Sequence, residues 1–148
     1  MIFLINKSYY ICMLKELRWY SMTRINVAIL PQELNDKHLM AEHREIKRIP
    51  NCVSKGRYSL KDQPQHFKLG AGHVKFFYDK LLYLKNRYEG LYEECINRGF
   101  NVTYYGSAWD DVPKELMNDY IETEKDRKIL IERINEKNNT LVTKANVK

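Results

Sequence analysis

The sequence predicts an all-α fold: one compact domain of about three main helices with long connecting loops. Three observations lead there. The chain has 148 residues, a length that closes a single hydrophobic core. Along its longest patterned stretch, apolar residues recur at steps of three and four, the period of a helix. No strand-rich region and no internal repeat is present.

The first 21 residues, MIFLINKSYYICMLKELRWYS, differ in character from the rest. They are rich in Tyr and aliphatic residues, but lack the basic start, long apolar centre and small cleavage-site residues of a signal peptide. Residues 1–21 are therefore read as an N-terminal extension, untranslated or removed in the active form, and 22–148 as the domain. From Met22 onward the elements follow in order. A first helix begins near Asn35 and Asp36, both good N-cap residues, and runs to about Ile49 before Pro50. The polar stretch from Asn51 to Lys68, with Gly56 and Pro64, reads as loop. A second helix spans about Gly72 to Arg98. Val74, Phe77, Leu81, Leu84, Tyr88, Leu91 and Cys95 form its apolar stripe, and Gly99 is placed to stop it. This stripe is core, not a site. Phe100 to Asn118 has no helix-length pattern and carries Gly106, Pro113 and the Asp110-Asp111 pair, so it too reads as loop. A third helix runs from about Thr123 to Lys137. Thr123 with Asp126 resembles a capping box, and Ile129, Leu130 and Ile134 supply the buried side. The tail from Asn138 to Lys148 is polar and expected to fray.

Composition narrows the function classes. Hydrophobic residues at 44% and charged residues at 30% describe a globular chain rather than a disordered one. No apolar run is long enough for a membrane-spanning helix. Cys12, Cys52 and Cys95 are odd in number and widely spaced, which argues against a disulfide framework or a zinc site. His38, His43, His66 and His73 form no HExxH motif, and no glycine-rich phosphate loop occurs. The formal charge of +6 is compatible with an anionic partner.

At about 100° per residue, the first helix sorts its side chains. Leu39, His43 and Ile46 fall on one side; Lys37, Arg44 and Arg48 fall on the other, with His38 and Glu45 beside them. Such a face can be plain solvated surface. It can also be a site, with cations that hold phosphates and one carboxylate that handles a proton or a developing positive charge.

Four blocks decide between these readings. Thr23-Arg24-Ile25-Asn26, HLMAEHRE (His38 to Glu45), LGAGHVKFFYDKL (Leu69 to Leu81) and RGFNV (Arg98 to Val102) resemble the phage endonuclease V family. These are pyrimidine-dimer DNA glycosylases with an associated abasic-site lyase. The resemblance runs from about Met22 to Lys137. It implies a single all-α domain acting on double-stranded DNA that holds pyrimidine dimers or abasic sites. It implies no metal and no organic cofactor, a monomer, and a location with the DNA inside a bacterial or virus-infected cell. The catalytic residues it implies are Thr23, through a free α-amine, and Glu45, which would stabilise a cationic sugar and assist β-elimination. Arg24, Lys37, His38, Arg44, Arg48, Arg133 and Lys137 are the matching DNA-binding positions. The family kinks its DNA and extrudes the nucleotide opposite the lesion.

The chain departs from the family in three places. Thr23 carries a free amine only if it is the first residue, so the active form is expected to begin there. The family's aromatic C-terminal segment is replaced by NNTLVTKANVK, which leaves Tyr104, Tyr105 and Trp109 in the long loop as candidate substitutes. Lys37 stands where the family has an uncharged amide. The alternative reading is a non-catalytic DNA-binding protein that keeps the same fold.

Overall fold

The computed structural model describes residues 23–136, and among them every regular element is helical. Five α-helices follow in order: α1 (Asp36–Glu45), α2 (Arg48–Ser54), α3 (His73–Phe76), α4 (Leu81–Asn97) and α5 (Glu124–Glu136). Single 3₁₀ turns lie at Pro31–Glu33, Gly106–Trp109 and Lys114–Leu116. α1 packs on α4, and both α2 and α4 pack on the 106–109 turn. The expected extension 1–21 and the expected fraying tail lie outside the described residues.

α1 starts where the sequence places it, because the Asn35 side chain accepts the His38 N–H at 2.8 Å. It does not reach Ile49. The helix stops at Glu45, turns through Ile46 and Lys47, and restarts as α2. Pro50 explains the break: it offers no N–H to the Ile46 carbonyl four residues back, and its ring crowds that carbonyl. Pro50 instead occupies the first turn of α2, where no intrahelical N–H bond is required. The expected loop from Asn51 therefore begins as helix, up to Ser54.

The expected helix from Gly72 to Arg98 is divided as well, into α3 and α4. Phe76, Phe77 and Tyr78 are all buried, at 1%, 0% and 6% exposure. Three successive helical side chains fan over about 200°. An unbroken helix could not turn all three inward, so the chain leaves helical geometry between α3 and α4. Its freed carbonyls are capped: Gln63 Nε2 donates to the Lys75 and Phe76 oxygens, and Lys80 Nζ donates to Phe76 O. Within α4 the expected stripe holds, with Leu81, Leu84, Tyr88, Leu91 and Cys95 at 0% exposure. Gly99 ends it at φ 81°, with the Phe100 N–H on Cys95 O and the Gly99 N–H on Ile96 O.

The 100–118 stretch is irregular, as expected, but it is not outside the core. Trp109 is buried, its indole N–H donates to Leu81 O, and its ring packs on Tyr88. α5 opens with the expected capping box, in which the Thr123 hydroxyl accepts the Asp126 N–H and the Asp126 carboxylate accepts the Thr123 N–H. Leu130 and Ile134 face the core.

Candidate active site

Residues 23–29 have neither helix nor strand, yet Ile25, Val27 and Ile29 are fully buried. Buried backbone groups need partners. Within the segment the Val27 N–H turns back to Ile25 O and the Ile29 N–H to Asn26 O; other partners are side chains from distant elements. The Ile25 N–H donates to His73 Nε2 at 2.8 Å, the Ala28 N–H to Glu122, and Arg127 and Arg87 donate to the carbonyls of Ala28 and Ile29. Ala28 sits at φ 65°, and the bonds from Glu122 and Arg127 hold it there.

His73 Nδ1 also lies 2.8 Å from Lys68 O. A ring that accepts from Ile25 at one nitrogen must carry its proton on the other, so it is the neutral Nδ1–H form. Burial agrees, since it pushes the His73 pKa down to about 4.

The segment brings its polar residues onto α1. Thr23 is 4% exposed, and its hydroxyl oxygen is buried with no hydrogen-bond partner among the described residues. The Arg24 guanidinium lies 2.9 Å from His38 Nδ1, and its Nε donates to Asn26 Oδ1 at 3.0 Å. Burial holds Arg24 below its ordinary pKa, opposed by the negative charges of Glu42 and Glu45 and reinforced by Arg133. Thus Arg24 from the N-terminal segment, His38 and Glu45 from α1, and Arg133 from α5 share one electrostatic neighbourhood.

The two glutamates of α1 are unlike. Glu42 is buried and accepts from Asn26 Nδ2 and from two nitrogens of Arg87. Its lone pairs are engaged. Glu45, one turn on at the end of the helix, pairs with the neighbouring Arg44 at a longer 3.3 Å. Of the two, Glu45 is the carboxylate with capacity left for a reacting group.

The remaining expected residues are spread more widely. Lys37 and Arg44 are exposed on α1. Arg48 belongs to α2, so the expected face of one continuous helix is corrected to a corner between two. Arg133 projects from α5 with a loose 3.9 Å approach to Glu136. Lys137 lies outside the described residues. Trp109 is core and cannot serve as the substitute aromatic. Tyr104 is exposed, whereas the Tyr105 ring carries the Lys47 ammonium 3.4 Å from its centroid. A cavity of about 330 Å³ lined by Pro31, Tyr83, Arg87 and Glu122, among others, includes none of the expected site residues.

Sequence reasoning missed Glu42, Arg87, Asn26 and His73. A signal was present: Glu42 falls within about 60° of the Leu39–His43–Ile46 stripe, and Arg87 lies equally close to the stripe of α4. Two opposite charges on two buried stripes point to a buried pair. Comparison with known proteins adds one finding to this geometry: a family model described as pyrimidine dimer DNA glycosylase matches residues 22–105, more than half of the chain.

Proposed function

The chain belongs to the pyrimidine dimer DNA glycosylase family, and from that membership we propose a two-step repair reaction with named residues. The substrate is duplex DNA carrying an ultraviolet-induced pyrimidine dimer. The α-amine of Thr23, present when Thr23 is the first residue, attacks C1′ of the damaged nucleotide. The C1′–N glycosidic bond breaks and the base leaves with the bonding pair; the C1′–O4′ bond of the resulting N-glycoside then opens, O4′ takes up a proton, and an imine joins protein to sugar. Loss of a C2′ proton then expels the 3′ phosphate by β-elimination. Water releases the enzyme from the nicked product.

The amine suits this task. An α-amino group has a pKa of about 7.7–8.0, so roughly a tenth or more is free base at neutral pH, against less than about 0.1% of a lysine. Glu45 would stabilise the cationic sugar and carry the C2′ proton. Arg24, Arg44, Arg48, Arg133 and Lys137, with Lys37 and His38, would hold the phosphates. The observation that carries the reading is the contrast on α1: Glu42 is consumed by Arg87 and Asn26, while Glu45, beside Arg24, is not.

Borohydride trapping tests it. Protein beginning at Thr23 is expected to form a covalent adduct with irradiated duplex, in the presence of a chelator, and none with unirradiated duplex. Protein carrying residues 1–22 should give none, because its Thr23 nitrogen is an amide. Glu45→Gln should slow the reaction by about 10²–10⁴-fold while binding to damaged duplex persists. An adduct on abasic duplex alone would retain the lyase and remove the dimer step. No adduct on either would leave a DNA-binding protein.

A further inference from the structure

Glu42, Arg87 and Asn26 form a connected set that the proposed chemistry does not use. Glu42 Oε1 accepts from Asn26 Nδ2 at 2.7 Å and from Arg87 at 3.0 Å, and its Oε2 accepts from Arg87 Nε. A further Arg87 nitrogen donates to Ile29 O at 2.7 Å. The Arg87 and Glu42 side chains are 5% and 1% exposed. Asn26 passes the connection on, since its Oδ1 accepts from Arg24, the residue after Thr23. Stability does not by itself call for such a pair, because apolar residues of similar volume hold a fold as well or better.

What the set does is geometric. Glu42 stands one helical turn before Glu45 on α1, and Asn26 stands three residues after Thr23. The carboxylate therefore ties the path of the irregular segment to the helix that carries Glu45. We infer that Glu42, Arg87 and Asn26 are positioning residues that set the distance between the residue-23 nitrogen and the Glu45 carboxylate, without touching the DNA. The inference rests on the reading of Thr23 and Glu45 given above. Misplacing reacting groups by about 1 Å costs on the order of 10²-fold in rate.

The test uses protein beginning at Thr23 and a duplex with one abasic site, under single-turnover borohydride trapping. Three variants are compared: Glu42→Gln, Asn26→Ser, and the double change Glu42→Leu with Arg87→Met, which removes both charges and keeps the volume. Thermal unfolding reports the folded fraction and a gel-shift titration reports Kd. In the double variant the trapping rate is expected to fall about 10–100-fold, with Kd within about twofold and the midpoint of the pH–rate profile unmoved. Asn26→Ser, which leaves the buried pair intact, should show a smaller loss of the same kind. A folded double variant that traps at the unchanged rate overturns the inference. A loss that merely follows the unfolded fraction overturns it too. A shifted pH midpoint would make Glu42 a proton carrier and would also overturn it. The NMR shift of the Thr23 methyl group reads position without activity: it should move in the double variant, and a fixed shift counts against the relay. If the parent protein gives no adduct, the nucleophile assignment fails, and the methyl shift alone decides the positioning role.

Discussion

Residues 23–29 and residues 100–118 are both largely irregular and partly buried, and both touch α4, yet the balance of what holds them differs. The later stretch leans mainly on apolar side chains, with hydrogen bonds such as Trp109 Nε1 to Leu81 O and the Tyr83 N–H to Asn118 O beside them. Trp109 and Leu116 enter the core, and Tyr88 packs at a tilt against Trp109 while its hydroxyl accepts the Tyr105 N–H. The earlier segment buries aliphatic residues too, but its course is dictated by His73, Glu42, Arg87, Glu122 and Arg127. Apolar packing fixes what is inside and tolerates small slides. Directional bonds to charged groups fix where each atom lies. The segment that carries the proposed nucleophile uses the second kind.

The largest expected effects test that contrast directly. Arg87→Met leaves Glu42 charged and unpaired in the interior and should cost about 3–5 kcal/mol, most of it regained when Glu42→Leu is added. Trp109→Ala should cost a similar ~3–5 kcal/mol through its cavity, with no partner change able to restore it. Urea unfolding of the three proteins measures both, and a Trp109 loss rescued by a charge change would break the distinction.

A second expectation concerns acid. His73 is buried neutral with its pKa pushed down to about 4, whereas an unfolded histidine protonates near ~6.5. Its depressed value means that its contribution is complete above about pH 6.5 and is lost as pH falls toward 4, by roughly 3 kcal/mol. His73→Gln should flatten that part of the stability–pH curve. Trp109→Ala should lower the whole curve and leave its shape. The smallest effect is at Ala28, whose φ of 65° suits glycine better than alanine. Ala28→Gly should raise stability by up to about 1 kcal/mol, read from the same urea curves.

The same contrast explains what the sequence made legible. Periodicity marked Leu81 through Cys95, and local chemistry marked Asn35, Thr123 and Gly99, because each acts on residues three to five positions away. The breaks after Glu45 and after Phe76 were harder. Both flanking helices keep nearly the same apolar phase, so the stripe reads as continuous. Pro50 and the Phe76-Phe77-Tyr78 run were the marks left. At the site, Thr23, Arg24, His38 and Glu45 were reached through motif likeness. The bonds that place them were not, since Asn26 meets Glu42 and Ile25 meets His73 only after the chain has folded back on itself. Helical phase sets Glu42 nearer the apolar stripe than Glu45, but only Arg87, from a distant helix, shows why it is buried there.

The side-chain anchors of residues 23–29 have a consequence for amide hydrogen exchange. Segments without helix or strand ordinarily exchange first, through local opening. Here the acceptors of the Ile25 and Ala28 amides sit on residues 73 and 122. The Ala28 bond is exposed and opens when the Glu122 side chain swings away, but freeing the Ile25 proton requires parting the segment from the buried His73 ring. The Ile25 amide should therefore exchange as slowly as those at the centre of α4, while Ala28 exchanges sooner, so that one proton of the least regular stretch reports global unfolding.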